Sequence, residues 1–368
     1  METSYGQDKG RSLKMKPWEK NIRKVEPYVA GEQPDNKDMV KLNTNECPYP
    51  PSEKVTETIR EIEKNTHMLR LYPDKTMAPL IKALAEFYNV SEDMVFAGVG
   101  SDDVIANCFL TFFNSDKPVL FPEITYSFYP VWAELYHIPY ETPSLKEDFT
   151  INVNDYMREN GGIIIPNPNA PTSLYMELTE VEKIVRANPA SVVIIDEAYI
   201  DFGGESAIEL TKRYDNLLVV QTFSKSRSMA GMRIGYAIGC RELISALNDV
   251  KNSINSYTLN YVSILAGEAA VKDKEYFDKI RKKVIATREN TKKRLTELGF
   301  TYPDSKTNFI FATHKDYDIT KLFLYLRDNN VFVRHWDDPL IKDYLRITIG
   351  TDEEMEKLFE KIKEVMKR

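Results

Sequence analysis

The chain has 368 residues, which is long enough for two ordinary domains, and its 42% hydrophobic content can build sizeable cores. It carries 49 basic against 56 acidic residues, a net charge of −7, so no global basic excess points to nucleic acid. No apolar stretch reaches membrane-spanning length. Three scattered cysteines, Cys47, Cys108 and Cys240, cannot pair completely; they are expected to be small buried thiols in a reducing compartment. The segment from Met1 to Lys14 is polar and lacks the apolar core of a signal peptide, so the expected location is cytoplasmic. Met15 reads as an alternative start, with the preceding segment an extension.

Taken in chain order, apolar runs alternate with amphipathic segments. Strands are predicted at Met94 to Gly98, Pro118 to Phe121, Gly162 to Pro166, Ser191 to Asp196, Leu217 to Thr222 and Ile234 to Gly239. Most are apolar at successive positions, as expected of strands buried on both faces of a mostly parallel sheet between helices. A helix is expected to open near Ser101, another over Thr179 to Arg186 with a weak capping signal, and a long one over Lys272 to Leu298. Beyond it lie strands at Phe309 to Phe311, Val331 to Val333 and Leu345 to Thr348, a helix over Ile319 to Asn329, and a terminal helix from Glu353. The fold class is therefore α/β, with a smaller α+β region at the C-terminus. The expected division is an arm over 1–40, a large domain over 41–270 whose first residues can pack on the small one, and a small domain over 271–368.

The chemistry-bearing residues fall at the ends of these strands, where open α/β sheets bind ligands. Lys225 leaves a buried strand among small and hydroxylic residues, with Arg233 eight positions later. Partial burial near a fixed cation favours a neutral, nucleophilic amine, which can form a Schiff base with an aldehyde. A surface lysine in a loop is the plain alternative. Gly98-Val99-Gly100-Ser101-Asp102 offers free N–H groups to an anion, or is simply a tight turn. The proline-rich segment from Pro166 to Ser173 is a rigid loop that can present an asparagine amide. Asp196 ends an apolar strand and needs a cationic or N–H partner, or else serves as a helix cap. Arg346 lies within an apolar strand pattern twelve residues after Arg334; the pair can grip an anion, or be two ordinary half-exposed arginines. His67, His137, His314 and His335 show no metal-ligand spacing, so no metal is expected. Trp18, Trp132 and Trp336 read as packing residues.

From about Trp18 to the C-terminus these motifs resemble the aspartate-aminotransferase-like enzymes, fold type I of the pyridoxal-phosphate (PLP) family. They include Glu26-Pro27-Tyr28, Asn43-Thr44-Asn45-Glu46, Leu71-Tyr72-Pro73, Thr125-Tyr126-Ser127, Asp196-Glu197-Ala198-Tyr199, Ser224-Lys225 with Arg233, and Leu345-Arg346-Ile347-Thr348. The resemblance implies that Lys225 anchors PLP and then moves a proton at the substrate. It implies that Asp196 pairs with the ring nitrogen, Tyr126 stacks on the ring, and Tyr199 bonds the phenolic oxygen. Ser101, Asp102, Thr222, Ser224 and Arg233 would hold the phosphate, joined by Tyr72 from the neighbouring subunit of a homodimer. Tyr28, Asn45, Arg334 and Arg346 would meet the substrate. Two departures stand out: Ala170 replaces the asparagine usual before Pro-Thr, leaving Asn169 as the candidate amide, and Ser173 replaces a glycine, without cost if its φ is negative.

The branch of the family it resembles most implies ping-pong transamination between L-histidinol phosphate and 2-oxoglutarate, as in histidine biosynthesis. Three alternatives share much of the pattern. One is an aromatic amino-acid aminotransferase, and another is a decarboxylase acting on threonine phosphate. The third is a non-catalytic PLP-binding regulator, for which the roughly 40 residues before Asn43 leave little room for a DNA-binding module.

Overall fold

The computed structural model describes residues 16–29, 31–34 and 38–367, so Met15 and the segment before it lie outside the described residues. In chain order come β1 (Val40–Leu42), α1 (Glu53–Lys64), α2 (Ala78–Tyr88), β2 (Val95–Gly98), α3 (Gly100–Phe112), β3 (Val119–Leu120), α4 (Phe128–Tyr136) and β4 (Tyr140–Glu141). There follow β5 (Gly162–Pro166), α5 (Leu178–Ala187), β6 (Val193–Asp196), β7 (Leu217–Thr222), β8 (Gly235–Gly239), α6 (Arg241–Ile254), α7 (Tyr261–Lys272) and α8 (Lys274–Glu297). The last elements are β9 (Phe309–Ala312), α9 (Ile319–Asp328), β10 (Val331–Val333), β11 (Leu345–Thr348) and α10 (Asp352–Met366).

Seven strands form one sheet in the order β2-β8-β7-β6-β5-β3-β4, parallel except for β8. Its strands lack polar alternation because both faces are covered. Ile163, Ile165, Val193, Ile195, Leu217 and Val219 join one apolar cluster, while the intervening Ile164, Ile194, Leu218 and Val220 join another.

A third cluster gathers α8, α9, α10 and the remaining strands. Here β1 pairs in parallel with β10, Val40 to Leu42 against Val331 to Val333, while β9 and β11 are antiparallel. The chain thus visits this region with its first strand, leaves to build the large sheet, and returns through α8.

Local details differ from the sequence reading in four places. Helix α5 starts from Glu177 without a side-chain cap, so Thr179 lies inside the helix. The long helix begins at Lys274, because Asp273 ends α7 and caps α8 through the Tyr276 N–H. Ser173 has φ +66°, in the left-handed region, so the substitution is not free of strain. Its hydroxyl is buried without a partner, while its carbonyl accepts the Lys306 N–H at 3.0 Å. Among the described residues Cys108 is a buried free thiol, while Cys47 and Cys240 are partly exposed. Also among these residues, no helix is long and apolar enough to cross a membrane.

Candidate active site

The carboxyl ends of β2, β5, β6 and β7 converge on a cavity of about 180 Å³ that contains Lys225. At one end is the N-terminus of α3. Gly100 has φ +84°, and a Cβ there would meet Arg233 Nη2 at 2.5 Å. Gly235 on β8 lies so close that a Cβ would stand 2.3 Å from the Ser101 nitrogen. Two glycines therefore let backbone and guanidinium close around the helix start. No side chain caps α3, which leaves N–H groups of its first turn for an anion. Asp103 accepts the Val99 N–H at 2.9 Å and braces the turn from behind.

Ser101, Asp102, Thr222, Ser224 and Arg233 all line this end. Thr222 Oγ1 donates to Ser224 Oγ at 3.0 Å, and Arg233 Nη2 stands 3.4 Å from Asp102 Oδ2. The hydroxyls, the Arg233 guanidinium and the free N–H groups of the helix N-terminus suit a phosphate monoester.

Across the cavity lies Asp196, buried at the end of β6. Its Oδ1 accepts the Ala198 N–H at 3.2 Å, and its Oδ2 accepts the Tyr129 hydroxyl at 2.8 Å. Burial pushes this carboxyl up to about 6, against the lowering effect of those two bonds and of the Lys225 charge. A buried carboxylate that forms no ion pair among the described residues suits a protonated heterocycle nitrogen. Tyr126 lines the space between, its hydroxyl donating to Asp102 Oδ1 at 2.8 Å. Burial, then the Asp102 charge, pushes the Tyr126 phenol well up, so it stays neutral.

Lys225 Nζ donates to the Thr44 carbonyl at 3.2 Å and lies 5.8 Å from the centre of the Tyr199 ring. Tyr199 accepts from Asn45 Nδ2 at 2.9 Å. Asn45 has φ +58°, and its Oδ1 accepts the Thr348 hydroxyl at 2.9 Å, so its amide is committed to holding Tyr199. Glu46 also lines the cavity; burial raises its carboxyl, but bonds from Lys41 and Thr44 outweigh that and hold it below the usual range.

A second cavity, of about 290 Å³, shares Lys225, Thr44, Tyr126, Ala170 and Tyr199 with the first. Tyr28, Asn45, Arg334, Trp336 and Arg346 line it. Arg346 is half-buried, and its loss of solvation pushes its guanidinium down. It donates through Nη2 to the Asn43 carbonyl at 2.8 Å, and its Nε has no partner. Neither arginine forms an ion pair among the described residues, although Glu123 and Asp338 line the same cavity.

The structure does not bring Asn169 to either cavity. Its Nδ2 is spent on the Ile124 carbonyl and Thr172 Oγ1, both at 3.0 Å, and the residue lines a separate hollow behind the loop; Ala170 faces the site instead. Tyr72 lies outside both cavities of its own chain, 81% exposed and stacked on Tyr257 at 4.6 Å. Sequence reasoning missed Tyr129, whose only signal is its place one helical turn after Tyr126. It also read Trp336 as packing alone.

Residues 37–362 match the family Aminotransferase class I and II. The chain belongs to that family. It is an aminotransferase, and PLP is its cofactor, which the phosphate cup, the Asp196 carboxylate and the Lys225 amine fit. It is 52% identical over 350 residues to a histidinol-phosphate aminotransferase of Lactococcus lactis subsp. cremoris (strain MG1363), covering 95% of this chain and 98% of that one. It is 51% identical over 353 residues to a histidinol-phosphate aminotransferase of Clostridium botulinum (strain Okra / Type B1), covering 96% and 99%. The fold resembles that of the histidinol-phosphate aminotransferase of Sinorhizobium meliloti, solved in complex with pyridoxal-5'-phosphate. That likeness has TM-score 0.80 at 22% identity, over 88% of this chain and 91% of the other.

Proposed function

We propose that this protein catalyses transamination between L-histidinol phosphate and 2-oxoglutarate, giving imidazole-acetol phosphate and L-glutamate. The observation that carries the reading is the Arg334–Arg346 pair, in no ion pair among the described residues, in a cavity joined to Lys225. A guanidinium binds planar carboxylate or phosphate oxygens, so one pair can serve the γ-carboxylate of glutamate and the phosphate ester in turn. The identity to the Lactococcus and Clostridium enzymes supports the same substrates.

Bound PLP supplies an electron sink for the substrate's α-carbon. Lys225 is the amine that would anchor the cofactor and would serve as the acid and base that moves the proton at the substrate's α-carbon. Its bond to the Thr44 carbonyl supports a fixed position for that amine. Asp196 holds the proton on the ring nitrogen, and Tyr129 orients it. Tyr126 would pack against the cofactor, and Tyr199, held by Asn45, would offer its hydroxyl to the cofactor's phenolic oxygen. Ser101, Asp102, Thr222, Ser224 and Arg233 hold the phosphate, while Tyr28, Arg334 and Arg346 meet the substrate.

The working form is a cytoplasmic homodimer in which Tyr72 completes the neighbouring phosphate site. The exposed Leu69, Leu71, Tyr72, Ile254 and Tyr257 support such an interface. The chain divides near residue 270 into a large cofactor-binding and a small C-terminal domain.

The experiment is a panel of amino acceptors with PLP-loaded protein, ranked by kcat/KM. Imidazole-acetol phosphate should lead; preference for phenylpyruvate would overturn the substrate assignment. Release of carbon dioxide from threonine phosphate would do the same.

A further inference from the structure

Arg334 and Arg346 are locked side by side. The Arg334 N–H donates to the Arg346 carbonyl at 3.0 Å, and the return bond is 2.9 Å. Two guanidiniums therefore enter one cavity from opposed backbone positions, and their charges repel. What they share is an aromatic face. The guanidinium carbon of Arg334 lies 5.5 Å from the centre of the Trp336 ring, and that of Arg346 lies 5.4 Å from it.

Other contacts set the position of the indole. Trp336 packs on a small apolar cluster of Ile124, Phe311 and Ile341, and meets Phe311 edge-on at 6.5 Å. That cluster joins the segment after β3 to the strands of the C-terminal region, so the ring is seated independently of the arginines.

We propose that Trp336 is a positioning residue for the substrate's anionic group: its π face gathers the Arg334 and Arg346 guanidiniums before an anion arrives. The inference rests on the reading that this arginine pair receives that group. The negative face of an aromatic ring attracts cations, and an indole does so best. Cations gathered in advance lose less side-chain freedom on binding, so the gain appears as affinity rather than as chemical rate. Because the ring constrains where the two charges stand but not which oxyanion meets them, it serves both half-reactions.

The test compares PLP-loaded wild type with Trp336→Leu, which keeps apolar packing and removes the π face, and Trp336→Phe, which keeps a smaller one. Inorganic phosphate is the binding probe, since the cofactor's own phosphate site is filled in the holoenzyme. Trp336→Leu should weaken phosphate binding and raise KM for 2-oxoglutarate and for the phosphorylated amine about tenfold, with kcat within about twofold. Trp336→Phe should recover most of the loss. Unchanged phosphate affinity in Trp336→Leu, equal losses in both variants, or a fall in kcat at constant KM would each overturn the proposal. If Trp336→Leu does not fold, affinity should follow the order Trp, Tyr, Phe across the aromatic variants, and equal affinities would overturn it. The phosphate and 2-oxoglutarate measurements hold even if the phosphorylated amine proves not to be the substrate, so failure of that assignment is distinguishable.

Discussion

Tyr129 donates its phenolic hydrogen to Asp196 Oδ2 over 2.8 Å, and both side chains are buried. Burial drives the Asp196 carboxyl up to about 6, and the Tyr129 bond is the leading effect that opposes it. Tyr129→Phe should therefore raise this carboxyl further and weaken its hold on the ring nitrogen. A hydrogen bond to a charged group is worth about 1.5–3 kcal/mol, so kcat should fall roughly 10- to 100-fold. The acid limb of the pH–rate profile should move to higher pH. An unmoved profile would remove Tyr129 from the machinery.

Lys225→Ala removes the amine that lies at the junction of the two cavities. Steady-state turnover should be lost, and with it the absorption of lysine-bound cofactor. Turnover near the wild-type rate would sink the mechanism.

Ser173 combines φ +66° with a buried hydroxyl that has no partner. Ser173→Gly relieves both, while adding backbone freedom to the unfolded chain. The net expectation is a gain of about 1 kcal/mol, read as a raised Tm with unchanged kcat.

Glu197 lies next to Asp196 but points to a different network. It accepts from Ser206 Oγ at 2.5 Å, the Ala207 N–H at 2.6 Å and Gln221 Nε2 at 2.8 Å. Burial outweighs these bonds and pushes its carboxyl from 4.5 up to about 7. A raised carboxyl contributes stability below its unfolded value, and that contribution is lost as pH rises through its folded value. Relative to Glu197→Gln, the wild type should lose about 3 kcal/mol between pH 4.5 and 8 in denaturant unfolding. Parallel curves for the two proteins would contradict this.

Leu71 is 47% exposed beside Tyr72. Leu71→Asp places a charge in the proposed dimer surface and should shift the sedimenting mass from twice 42.5 kDa toward the single chain. Weaker PLP retention should accompany the shift, because Tyr72 would no longer reach its neighbour. A variant that stays dimeric with unchanged retention would place the interface elsewhere.

Much of the site is legible in the chain because its residues stand at strand ends, where local pattern and function coincide. Lys225 after Leu217–Thr222, Asp196 at the end of Val193–Asp196 and Ser101 at the opening of Gly100–Phe112 are all readable in this way. Asn169 misleads because the direction of a side chain in a proline-rich loop depends on what it packs against. Its amide is claimed by the Ile124 carbonyl, remote in sequence, and Ala170 faces the cavity in its place. Trp336 misleads for a related reason: an aromatic residue near a buried strand is normally core, and only the cross-strand pairing of Arg334 with Arg346 puts two cations over it.

The sequence by itself determined the layered α/β architecture, since apolar strands with no polar alternation must be covered on both faces. It also put Lys225, Asp196 and the glycine turn before Ser101 at the ends of strands, because those positions depend on local pattern along the chain. Only the tertiary structure decided which groups share a cavity and what holds them. The Tyr129–Asp196 bond spans 67 positions, and the Thr44 carbonyl meets Lys225 across 181. Asn45 meets Thr348 across 303. Contacts of that range leave no periodicity to read; the first follows from α4 packing on the large sheet, the last from the pairing of β10 with β1, which brings the two ends of the chain together.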